Sequence, residues 1–219
     1  MRNTRPTPWS SGPCRRAAAA ALLLVGLLGV AGAEAAERRA VRSLLETRQD
    51  KVVVQQWDLS CGAAALATIL NYQHGDMVSE REVALALINR KEYIENPELV
   101  RIRQGFSLLD LKRYVDSRGY EGVGFGRLDL ADLEAKAPVM VPIDANGYNH
   151  FVVFRGRYGN RVLLADPAFG NVTMTVREFE RSWIDYAELG KVGFVVLRRD
   201  GQPAPNRLAA LPDDFVFLR

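Results

Sequence analysis

From residue 60 onward the chain shows two hydrophobic rhythms in succession. Cys61, Ala64, Ala65, Leu66, Ile69 and Leu70 recur at the three- and four-residue spacing of one helix face, and Gly75 ends the run. Ser79 and Glu82 form a capping box ahead of Val83, Ala84, Leu85 and Leu87, which predicts a second helix. Asn96-Pro97 reads as the cap and first position of a short helical turn. Ser107 with Asp110 introduces a further helix through Tyr114, which Gly119 stops. The pattern then turns β-like, with strands expected at 139–143, 150–154, 162–165, 172–175 and 192–197. A short helix over 176–183, with a Thr175/Glu178 capping box, interrupts them. A β-prone run at 51–56 precedes the first helix. Helices first and strands afterwards predict an α+β fold in which N-terminal helices pack on a C-terminal antiparallel sheet.

The first 35 residues follow another pattern. Arg2, Arg5, Arg15 and Arg16 make a basic start, residues 17–32 are apolar, and Ala33 and Ala35 place small side chains around Glu34. This predicts a signal peptide over 1–35 and export to the periplasm or the medium. The competing reading is a retained membrane anchor. The apolar run is shorter than the roughly 20 residues of a spanning helix, and Gly26 and Gly29 interrupt it. Residues 36–50 then form a charged lead-in, 51–198 the domain itself, and 199–219 a tail that begins polar and ends apolar at 215–218.

Cleavage changes the charge. The chain carries 29 basic and 26 acidic residues, a net of +3. Removing four arginines and one glutamate with residues 1–35 leaves 25 of each, so the domain has no positive field that would argue for nucleic acid. Cleavage also removes Cys14, leaving Cys61 as the single cysteine in a compartment where paired thiols would oxidise. A disulfide scaffold is then impossible. Two histidines and a scattered set of carboxylates show no metal-ligand pattern, and no metal or organic cofactor is expected. Gly122, Gly124 and Gly126 alternate without the spacing of a phosphate-binding loop.

Cys61 begins a predicted helix, where free N–H groups and the positive dipole end stabilise a thiolate. A thiolate nucleophile needs a base, and His74 lies 13 residues further along the same predicted helix, roughly 20 Å away. His150 is therefore the candidate base. Residues 156–160 are turn-rich, and a hairpin centred near Tyr158 pairs Arg155 with Arg161, Val152 with Leu164, and His150 with Asp166. Directly opposite residues have Cβ atoms about 4.5–5.5 Å apart, so Asp166 is the expected orienter of the imidazole. Asp144 is the second choice. For the oxyanion, the Cys61 N–H and the side-chain amide of Gln55 are the candidate donors; Gln56 would point to the other face of an extended chain.

With these residues in place the chain resembles the double-glycine, or bacteriocin-leader, peptidases, a papain-like group. The matching segments are Gln55 to Leu66 around Ser60-Cys61-Gly62, then Asn149-His150-Phe151, then Ala165-Asp166-Pro167. The resemblance implies a Cys61–His150–Asp166 triad with Gln55 as oxyanion donor, and cleavage after small residues such as Gly-Gly. Two departures stand out. The exported domain carries no transporter helices or ATPase, and Ser60 replaces the aspartate that usually precedes the cysteine in transporter-borne members. The expected function is therefore that of a standalone exported cysteine endopeptidase. Its partner is a peptide or protein substrate, a secreted precursor among them, within a secretion or fibre-assembly system. Two other readings share the residues: an idle peptide-binding domain of a secretion apparatus, and an amidase or acyl transferase acting on cell-wall peptides.

Overall fold

The computed structural model describes residues 43–102 and 105–215. The expected signal peptide, Cys14, residues 36–42 of the lead-in and the last four residues of the tail lie outside the described residues. Helix α1 (Leu44–Gln49) opens the described chain behind a Ser43/Glu46 capping box. The run 51–56, expected as a strand, joins no ladder and instead leads into α2 (Cys61–Thr68). Val53 N–H donates to the Thr68 hydroxyl and Gln55 N–H to the Pro167 carbonyl, so side-chain and loop partners replace strand pairing there. Helix α2 widens into a π-helical turn, Ile69–His74, that ends at Gly75. Three helices follow: α3 (Glu80–Ile88), α4 (Lys91–Glu95) and α5 (Glu98–Ile102). Helix α6 (Leu108–Ser117) starts at the Ser107/Asp110 box, as its sequence predicts.

Strand β1 (Tyr120–Phe125) and helix α7 (Leu130–Lys136) come next, followed by β2 (Val139–Asp144), β3 (Asn149–Tyr158), β4 (Arg161–Asp166) and β5 (Gly170–Thr175). Helix α8 (Val176–Ser182), a small β6–β7 hairpin (Asp185–Tyr186 and Gly190–Lys191) and β8 (Gly193–Arg198) complete the domain. The six long strands form one antiparallel sheet in the order β1-β8-β2-β3-β4-β5. Alternate residues send Met140, Val153, Ala165 and Phe194 into one core with Leu66, Ile69 and Leu111 from α2, its π turn and α6. Val141, Val152, Phe154 and Leu164 enter a second core with Leu133, Phe179 and Trp183. Both faces of β2 are thus covered, which is why its sequence reads as an unbroken apolar run. Gly122 on β1 has a packing reason: a Cβ there would lie 2.7 Å from the Phe194 ring and 2.8 Å from Val115.

The tail docks on the domain over its described length. Asn206 and Arg207 donate backbone N–H groups to the carbonyls of Gln73 and Tyr72, and Leu208 is fully buried. The anchor is Arg155, the extra residue of a bulge in β3. Its guanidinium is buried and donates to the Leu208 carbonyl at 3.0 Å, the Asn171 side chain at 2.8 Å and the Asp214 carboxylate at 3.3 Å. Asn171 in turn donates to the carbonyls of Thr47 and Asp50, so one buried cation ties both flanks of the chain to the sheet. Arg155→Met keeps the stem but strands these acceptors. We expect a loss of about 3 kcal/mol, or roughly 6–12 °C in Tm, by thermal unfolding. Alkylation of Cys61 below the transition is expected to stay within twofold of the wild type.

Candidate active site

Helix α2 can lie close to the sheet because its first turns carry almost no side chain. Ala63, Ala64 and Ala65 are fully buried, and a Cβ on Gly62 would come within 3.3 Å of the Phe151 ring. This brings the α2 N-terminus to the sheet end where β3 begins beside His150 and β4 finishes at Asp166.

The β3–β4 hairpin differs from the register expected of it, and the difference explains how the two residues meet. The chain turns at Gly159-Asn160, with Tyr158 opposite Arg161, so the turn centre lies later than Tyr158. That displaces the pairing by three residues, and the bulge at Arg155 returns one. Beyond it Phe154 faces Leu164 and Val153 faces Ala165. His150 is therefore not directly opposite Asp166; the same register puts Asp166 level with Val152. A net shift of two preserves the face on which each side chain stands. The imidazole reaches along the diagonal, and its Nε2–H donates to Asp166 Oδ1 at 2.7 Å.

That Oδ1 atom also accepts the Ala168 N–H at 2.7 Å, which fixes the carboxylate within its own turn. The same turn binds its neighbours. Pro167 accepts the Gln55 N–H at 2.8 Å, and Gly170, at φ +81°, lies where a Cβ would stand 2.4 Å from the Arg48 carbonyl. Helix α1 thus braces the Asp166 turn, and the turn braces the loop that carries Gln55.

Cys61 is a free, buried thiol that hydrogen-bonds to His150. With Nε2 committed to Asp166, the Nδ1 atom is the one that faces sulfur. Burial alone would lower the His150 pKa, but the hydrogen bonds to Asp166 and Cys61 and their negative charge outweigh it and raise it to about 9. His150 consequently holds its proton at neutral pH. Gln55 donates its side-chain Nε2 to the Trp57 carbonyl at 3.1 Å, which leaves the second amide proton free. Tyr148 also borders the site: burial first, then negative charge at Cys61 and Asp58, holds its phenol above the usual range. It carried no distinguishing signal in the sequence.

The other candidates fall away. Asp144 accepts the Gly147 N–H in the β2–β3 turn. His74 is buried at the end of the π turn, bonded to the Val196 carbonyl at 3.1 Å and held below its ordinary pKa by burial. Two depressions flank the centre. One, of about 410 Å³, runs from Phe106 and Leu109 past His150 and Phe151 to Tyr186 and Leu189 on the β6–β7 hairpin. The other, of about 280 Å³ and almost wholly apolar, lies between the 57–60 loop and α3, where Leu85 and Ile88 are exposed.

The chain is similar to several known proteins. The chain is 41% identical over 154 residues to a protein of Pseudomonas aeruginosa named probable functional amyloid protease FapD. That match covers 69% of this chain and 66%, just under two thirds, of the relative's own length. Among solved structures, a double glycine motif protease from an AMS/PCAT transporter, in complex with the leader peptide, is 25% identical. It superposes with a TM-score of 0.52 over 67% of this chain and 90% of its own. The peptidase domain of Streptococcus ComA, a bi-functional ABC transporter, has the same fold: TM-score 0.53 and 17% identity over 68% of this chain and 98% of its own. The model of the Peptidase C39 family matches residues 49–189, a span that contains every residue brought together above. This chain belongs to the peptidase C39 family of cysteine peptidases.

Proposed function

We propose that the chain is an exported endopeptidase that cuts an extended segment of a secreted precursor after small residues such as Gly-Gly, in the service of a fibre-assembly system. The observation that carries the chemistry is one imidazole held between a thiol and a carboxylate, with the thiol at a helix N-terminus. In this reading the Cys61 thiolate attacks the scissile carbonyl. The Gln55 amide and the Cys61 N–H receive the oxyanion, and His150 delivers its proton to the leaving amine while the C–N bond breaks. Water then hydrolyses the thioester, with His150 as base, and Asp166 holds the ring throughout. Support for export comes from the pattern of residues 1–35. Support for a fibre-forming substrate comes from the named role of the Pseudomonas relative, and support for a glycine-bounded cut from the transporter protease seen with its leader.

The test is the rate of Cys61 alkylation by iodoacetamide between pH 4 and 9, in wild type and His150→Ala, alongside cleavage of peptides containing Gly-Gly. A thiolate that reacts well below the usual thiol range of about 8.5, and is lost without His150, is expected. A slow, base-dependent reaction indifferent to His150 would reject the ion pair and with it the peptidase mechanism. The pH profile follows from the same residue. Because the raised His150 pKa is about 9, kcat/KM is expected to fall as pH rises through that value and the general acid is lost. His150 also adds folding stability that is full below its ordinary value of 6.5 and is lost as pH rises through about 9. Chemical denaturation at pH 6 and pH 10 should therefore show a larger drop for wild type than for His150→Ala.

A further inference from the structure

We propose that Glu80, at the first position of α3, is a positioning residue that sets the oxyanion-binding geometry by holding the loop between Gln55 and Cys61. The proposal rests on the peptidase reading above. Glu80 is 4% exposed, and its carboxylate turns away from solvent into the back of that loop. The Gln56 N–H donates to both of its oxygens, at 2.9 and 3.1 Å, and the Ser60 hydroxyl lies against Oε1. The two donors are the residue after Gln55 and the residue before Cys61. One carboxylate on a separate helix therefore clamps both ends of the segment that carries the two candidate oxyanion donors.

Two further observations make this clamp more than an isolated buried bond. Ser60 occupies the N-cap position of α2, where a serine side chain ordinarily accepts a first-turn N–H. Here it makes no such bond: the hydroxyl is turned away from the helix to donate to Glu80 and to the Trp57 carbonyl, 2.6 Å away. The first-turn N–H groups beside Cys61 are thus left uncapped for a developing anion. Trp57 is also the residue whose carbonyl anchors the Gln55 amide, so Glu80, Ser60, Trp57 and Gln55 form one connected chain of hydrogen bonds. Between them Leu59 stands at φ +66°, a conformation a leucine seldom adopts and one that persists only where its surroundings over-determine it. Freed from Glu80, the loop has every reason to relax.

A reaction that builds an oxyanion must be separated from one that does not. Alkylation by iodoacetamide forms a carbon–sulfur bond and expels iodide with no tetrahedral intermediate, so it reads the thiolate alone. Hydrolysis of a fluorogenic peptide ending in Gly-Gly-aminomethylcoumarin reads thiolate and oxyanion site together. For Glu80→Gln, kcat is expected to fall at least tenfold with KM within threefold, while alkylation at pH 6 stays within twofold of wild type. Equal losses in both reactions, or no loss in hydrolysis, would overturn the proposal. If Glu80→Gln does not fold, Ser60→Ala carries the same test. A threefold or greater fall in kcat with unchanged alkylation supports the clamp, and unchanged hydrolysis rejects it. Cys61→Ala is the control for the reading beneath it: hydrolysis that survives that change refutes the peptidase assignment itself, whatever Glu80 does.

Discussion

Cys61→Ala is expected to reduce peptide hydrolysis by at least about 10⁴-fold while leaving the fold and substrate binding in place. Removing the nucleophile of a triad costs about as much as removing the whole unit, because base and orienter have nothing left to act on. What survives is the oxyanion site, which can still polarise a carbonyl toward water but cannot form a thioester. The substitution is structurally mild. Cys61 is buried among the small residues Gly62, Ala63 and Ala64, and alanine has the higher helix propensity. We therefore expect Tm within a few degrees of wild type and retained affinity for an uncleaved peptide. Mass spectrometry after iodoacetamide treatment completes the test, since Cys14 is the one other cysteine of the chain and the modified site is read directly. Retained turnover in this variant would sink the nucleophile assignment.

The meeting of Cys61, His150 and Asp166 was largely legible from the sequence because the candidate residues stand at local signals. Cys61 follows a loop and starts an apolar helical run. His150 and Asp166 lie near the ends of runs that alternate, and Gln55 stands six residues before the nucleophile. Even the wrong hairpin register left His150 and Asp166 in contact, because an error of two residues does not change the face of a strand. Glu80 escaped notice for the opposite reason. An acidic residue just after an N-cap serine reads as an ordinary first-turn helix residue, and nothing local reveals that its carboxylate turns back to a loop 20 residues earlier. Arg155 was missed likewise: a lone arginine in a strand reads as solvent-facing until a bulge turns it inward. Strand β1 was hidden because Gly122 and Gly124 lack β propensity, and Gly122 answers to the bulk of Phe194 and Val115, which only the packed sheet brings near. The capping boxes at Ser107 and Thr175 were readable, since both partners of a box lie within one turn, whereas those that open α1 and α7 went unread.

Asp166→Asn tests whether the third residue contributes charge or only shape. In the wild type one oxygen, Oδ1, accepts from both His150 Nε2–H and the Ala168 N–H. Asparagine can keep its own Oδ1 in both bonds, so the imidazole stays oriented and the turn that holds Gln55 through Pro167 stays folded. What disappears is the negative charge. The Asp166 hydrogen bond leads the influences that offset burial and raise His150 to about 9, and the Asp166 charge adds to it after the Cys61 hydrogen bond. We expect the protonated imidazole to lose much of its advantage, with kcat/KM down about 10²–10⁴-fold near neutrality. The upper limb of the pH profile should move below 9, because a His150 with a lower pKa surrenders its proton earlier. Asp166→Ala removes shape as well as charge, releases the Ala168 N–H, and should add a loss of stability that the asparagine variant does not show. A pH profile and activity unmoved in Asp166→Asn, with activity lost only in Asp166→Ala, would mean that the carboxylate acts by holding the turn and not by charging the ring.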